Sequence, residues 1–82
     1  MIKFTTETET YTPIKLTIQS NCNDITFVNS ATATVFISGF PIAIGGTLVI
    51  SGNENEINVT TYNLSFNGGT GSVYVIRKKY IS

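Results

Sequence analysis

Three features of the sequence predict an all-β fold, a small antiparallel β-sandwich or a jelly-roll-like barrel of six to seven short strands. Apolar and polar residues alternate with a period of two along most of the chain. Clusters of Gly, Asn and Asp punctuate it at short intervals. No stretch carries apolar residues at the three-and-four spacing of an amphipathic helix. Residues 1–82 read as one domain, with residues 1–12 as an extended N-terminal arm or an edge strand, because residues 5–12 alternate Thr with Glu.

The elements follow in order. Ile14, Leu16 and Ile18 alternate with Lys15, Thr17 and Gln19, which predicts a strand with one dry face; Pro13, lacking an amide donor, suits its start. Asn21 to Asp24 form a polar turn, since Asn and Asp bond their own backbone and tolerate left-handed geometry. Strands are expected over Ile25 to Val28, Ala33 to Ser38 and Leu48 to Ser51. Between the last two, the chain leaves at Gly39, crosses Phe40 to Ile44, and turns back at Gly45-Gly46. A phosphate-binding loop would need a helix after those glycines, and Thr47-Leu48-Val49-Ile50 is β-branched and short. From Ile57 the alternation runs through Val59 and then changes phase to Tyr62, Leu64 and Phe66. That calls for a β-bulge near Thr60-Thr61 or a break between two strands. Asn67 to Gly71 make a hairpin loop, and Ser72 to Ile81 the last strand.

Composition bounds the function. Charged residues make up 12% of the chain and net charge is zero, against about 25% charged in ordinary soluble domains. Thr, Ser and Asn supply the polarity instead, and these are far cheaper to remove from water than ions. A domain of this size buries only about 60–65% of its unfolded surface, and partners commonly make up the shortfall. With no His and a single Cys, a zinc or iron centre and an intrachain disulfide are not expected. Cys22, in its polar turn without a neighbouring cation, reads as an incidental thiol. Glu54 and Glu56 lie two apart beside Asn residues. That is hard-oxygen material for Ca²⁺, without EF-hand spacing, and a solvated hairpin tip is the preferred reading. No cofactor and no small-molecule substrate are expected, and the chain does not read as an enzyme. Arg77-Lys78-Lys79 beside Tyr74 and Tyr80 make a poor nucleic-acid footprint in an uncharged chain, and only Arg77 and Lys79 share a side. Glu7 and Glu9 are candidates to pair with them, within a subunit or between neighbours. No segment approaches the roughly 20 apolar residues of a membrane span, and residues 1–13 lack the apolar run of a secretion signal. Synthesis in a cytoplasm is expected, and a start at Met1 with a strand-like end fits a complete small gene product.

Several strands are apolar on both sides. In Val35-Phe36-Ile37, Leu48-Val49-Ile50 and Val73-Tyr74-Val75-Ile76, one set fills the core and Phe36, Val49, Tyr74 and Ile76 point away. Together they predict an exposed apolar patch, which in a small protein marks contact with another chain. A patch of roughly 400 Å² is worth on the order of 10 kcal/mol when covered, before association entropy. Phe36, Phe40, Val49, Tyr74 and Ile76 are therefore the expected intersubunit contacts, with the chain itself as first partner. Residues 5–12 are expected to add a strand to a neighbour's edge. The alternative is a glycan- or host-surface-binding module, with Tyr62 and Tyr80 as the ligand surface.

The run Ile25-Thr26-Phe27-Val28-Asn29-Ser30-Ala31, followed by Thr34 to Ile42 and Gly45-Gly46-Thr47-Leu48, resembles a module of small β-rich virion structural proteins of tailed bacteriophages. In that module a strand ends in Asn, a short turn leads to a strand with an apolar loop, and a Gly turn opens the next strand. The Thr/Asn/Ser-rich, charge-poor composition is similar to structural proteins of phages of Bacteroidota. The resemblance covers about half of the chain. It implies a capsid, head-fibre or tail component that works by assembly with itself and other virion proteins, located in the virion after synthesis in the host cytoplasm. It carries no catalytic residues.

Overall fold

The computed structural model describes residues 2–13, 16–68 and 70–81. Its strands are β1 (Phe4–Tyr11), β2 (Thr17–Gln19), β3 (Asp24–Asn29), β4 (Val35–Ile37), β5 (Phe40–Ile42), β6 (Thr47–Ile50), β7 (Thr61–Phe66) and β8 (Val73–Tyr80). They form two four-stranded antiparallel sheets, ordered β1-β8-β3-β6 and β2-β7-β4-β5. The fold is thus sandwich-like: among the described residues both sheets keep open edges and do not close into a barrel. Eight strands appear among the described residues instead of six or seven, because residues 4–11 pair along their length with β8 and residues 40–42 form a strand of their own.

The core lies between the sheets and follows the period-two pattern. Ile25, Phe27, Val73, Val75 and Tyr11 face inward from the first sheet; Ile18, Val35, Ile37, Ile42, Tyr62 and Leu64 meet them from the second. Phe27 and Tyr62 pack edge to face across the gap, centroids 5.2 Å apart, the arrangement that the quadrupoles of two rings prefer.

Five local expectations need correcting. The loops after β6 and β7, expected as hairpins at residues 54–56 and 67–71, each join strands of different sheets. The hairpin closes one turn earlier than Gly45-Gly46: Ser38 and Gly39 both take positive φ (49° and 88°) and fold β4 straight onto β5, as a two-residue primed turn requires. Gly45 (φ 76°) instead turns the chain from the second sheet to the first. Asn29 fixes that crossing. It is buried, and its Nδ2 donates to the carbonyls of Ile42 and Ala33 while its Oδ1 accepts from the Ala31 amide. Ile57 and Val59 are both exposed, because Asn58 is the inward residue, bridging to Cys22. A break therefore separates them from β7, and no bulge keeps them in phase. Leu16 is 44% exposed although it shares parity with the fully buried Ile18, since it precedes the start of β2; Ile14 and Lys15 lie outside the described residues. Cys22, finally, is sealed in the core, where burial pushes its thiol pKa up and quenches its reactivity.

Candidate interaction surface

Register decides which side chains share a face. On the outer side of the first sheet, Thr8, Ile76, Thr26 and Val49 form one row across β1, β8, β3 and β6; Thr10, Tyr74, Val28 and Thr47 form the next. Neither row holds a charge. Val49 is 56% exposed, Tyr74 41% and Ile76 37%. Three of the five expected contact residues are therefore brought together on one β-branched and aromatic surface. Beyond these rows, Lys78 faces Asp24 (Nζ–Oδ2 3.8 Å), and Phe4 meets Tyr80 edge to face at 6.2 Å.

The other two lie elsewhere. Phe36 and Phe40 belong to the second sheet, Phe36 half-buried opposite Pro41 and Phe40 exposed at the hairpin end opposite Ile37. Around Phe36, the outer face of that sheet carries Thr17, Gln19, Thr61, Asn63 and Ser65, all exposed. Gln19 and Thr61 satisfy each other there, the Thr61 hydroxyl donating to Gln19 Oε1 at 2.7 Å. The two sheets thus differ: one outer face is wet, the other apolar. Sequence reading missed Val28 and the four threonines of the apolar rows. Their signal was present, since Thr26 and Val28 alternate with Ile25 and Phe27.

The tyrosines proposed as a ligand surface separate. Tyr62 is buried against Phe27, and its hydroxyl accepts from Asn58 Nδ2 at 2.8 Å, so it presents no surface to a ligand. Tyr80 is partly exposed and, with Ile2, Glu54 and Asn55, lines a hollow of about 350 Å³. Lys78 Nζ sits 4.5 Å from the Phe4 ring centroid and 4.8 Å from that of Tyr80, within cation–π range. The loop carrying Glu54 and Asn55 is pinned from below. Buried Asn23 donates through Nδ2 to the Asn53 and Glu56 carbonyls, and Gly52 donates its amide to Asp24 Oδ1 at 2.7 Å. The Glu56 carboxylate accepts from the Asn53 amide. Among the described residues no cluster of three or more His, Cys, Asp or Glu is placed to hold a metal ion.

Arg77 is not part of a wet basic strip. It is 5% exposed and reaches between the sheets, its Nε donating to the Gln19 carbonyl (2.9 Å), Nη2 to the Tyr11 hydroxyl (2.9 Å) and Nη1 to Glu9 Oε1 (3.0 Å). Tyr11 in turn donates to Glu9 at 2.6 Å. Burial lowers the guanidinium pKa, but the Tyr11 hydroxyl and Glu9 carboxylate more than offset this and leave it above the ordinary arginine value. Glu7 pairs with Lys79 at 3.7 Å. The acids of β1 are therefore matched to the cations of β8 within one chain. Comparison with family models, curated proteins and solved structures finds no match.

Proposed function

We propose that the chain is a non-enzymatic structural subunit that works by packing against further copies and other proteins of a virion, as a capsid, head-fibre or tail component. The observation that carries this reading is the pair of uncharged rows on the outer face of the β1-β8-β3-β6 sheet, with Ile76, Tyr74, Val28 and Val49 set among threonines. Two rows across four strands about 4.8 Å apart, spanning about four residues of each, make a face of roughly 250 Å². A standard interface takes about 800 Å² from each partner. One such contact is weak alone, which favours an assembly in which each subunit meets several neighbours over an isolated dimer. Virion parts are built that way, and the phage-like strand module and charge-poor composition point in the same direction.

The test is cofractionation. Particles from the producing culture, banded on a density gradient, should carry the chain in fixed stoichiometry. Recovery only in the soluble fraction overturns the virion reading. In the purified protein, Ile76→Lys should weaken self-association at least tenfold with far-UV circular dichroism unchanged.

The hollow at Tyr80 favours a second reading, a small glycan- or host-surface-binding module. An aromatic ring, an amide and a carboxylate around an open depression suit a sugar's apolar face and hydroxyls. A glycan array would support it through hits lost in Tyr80→Ala; an array without hits removes it.

A further inference from the structure

The two edges of the first sheet are built to meet each other. The Ile81 amide donates to the Lys3 carbonyl at 2.8 Å, and these residues are opposite in the β1–β8 register. In an antiparallel ladder, hydrogen-bonded pairs recur at every second residue. Thr5, Glu7, Glu9 and Tyr11 therefore turn their backbone groups toward β8, while Thr6, Thr8 and Thr10 turn theirs to the open edge. At the opposite edge the Asn29 amide donates to the Gly46 carbonyl at 2.9 Å, so Leu48 and Ile50 bond β3, and Thr47 and Val49 face outward.

The four strands alternate in direction, so β1 and β6 run opposite ways. A second copy displaced along the sheet thus brings its β6 antiparallel to β1. The side-chain faces agree as well. The edge-open residues of both strands, Thr8 and Thr10 on one and Thr47 and Val49 on the other, all carry their side chains on the outer face. Pairing Thr8 with Val49 and Thr10 with Thr47 would continue both apolar rows into the next copy.

We infer that β1 of one copy pairs with β6 of the next, extending the sheet head to tail into an open chain of subunits. The inference rests on the assembly reading and names a second contact for it. A β1–β1 pairing centred on Thr8 would instead set Glu7 opposite Glu9 twice, and like charges directly across strands repel. The second sheet offers no equivalent route: β5 carries Pro41, which has no amide to give, and β2 is three residues long. Nor do charges defend β1, since Glu7 and Glu9 are matched by Lys79 and Arg77.

Two proline variants test this. Thr8→Pro removes an edge-facing amide from β1, and Thr47→Pro removes one from β6, each without loss of a ladder bond inside the chain. Val49→Pro replaces the second if Thr47→Pro does not fold by circular dichroism. Sedimentation equilibrium is then run on wild type, each variant, and their equimolar mixture. Expected is open-ended growth of wild type with concentration and arrest of each variant at a small species. The mixture should exceed the mass of either variant, because each supplies the edge the other lacks. If the β6 variant alone grows like wild type, the contact is β1 with β1 and the inference fails. If both variants grow like wild type, the edges are not used, and the assembly reading stands on the face alone. If wild type itself stays monomeric, both fall.

Discussion

Replacing Arg77 by Ala withdraws a side chain that ties β8 and β1 of the first sheet to the Gln19 carbonyl on β2 of the second. Breaking a buried ion pair by removing one partner costs about 3–5 kcal/mol. The lower end applies, because Glu9 keeps about a third of its side chain in water (35%). A domain of 82 residues has roughly 4–12 kcal/mol of stability in total, so a loss of about 3 kcal/mol is a large fraction of it. Urea unfolding followed by circular dichroism reads this directly. With a slope of about 1 kcal/mol per molar urea for so small a chain, the midpoint should fall by about 3 M. Arg77→Lys keeps the charge but not the planar fork that reaches three acceptors, and should fall between. If Arg77→Ala moves the midpoint by less than about 1 M, the network does not hold the sheets together and the reasoning is wrong.

Other outcomes follow from the same structure. Burial, followed by the hydrogen bond to Glu9, raises the Tyr11 pKa above 10.0, and burial raises that of Cys22 above 9.0. Their folded forms hold protons more tightly than the unfolded chain, so this stability is complete below pH 9 and lost as pH rises through 10 and beyond; urea midpoints identical at pH 7 and 10.5 would contradict it. Asn23→Ala, which strips the carbonyls of Asn53 and Glu56 and the Tyr80 amide of their shared partner, should cost about 2 kcal/mol. It should also open residues 51–57 to limited proteolysis, and an uncut loop argues against the anchor. In Gly52→Ala the new Cβ would lie 2.5 Å from the Asn23 carbonyl oxygen, so a loss of about 1–3 kcal/mol is expected in the same melts, and no loss would mean the loop yields freely.

How much of this was legible in the sequence depends on the physics at each position. Strands β3, β7 and β8 are plain in the alternation, because strands with one face on a core impose their period on the residues. The outward set Val49, Tyr74 and Ile76 is legible for the same reason. Which of two sheets a strand joins is not encoded in its own period, so Phe36 and Phe40 could not be separated from the others before the registers were known. Asn58 is half-buried between Ile57 and Val59, both exposed, because its side chain has partners in Tyr62 and Ser20; hydrophobicity alone reads that segment backwards. Arg77 is hidden in the same way. A charged residue in a basic run looks solvated until Glu9 and Tyr11, more than sixty positions away, are seen to enclose it.

The most direct test of assembly is the molar mass of the wild-type chain in solution, measured by sedimentation equilibrium from micromolar to millimolar concentration. Expected is a mass that climbs well above the 8.9 kDa of one subunit as concentration rises. A mass fixed at a single subunit throughout that range would contradict a role built on subunit packing.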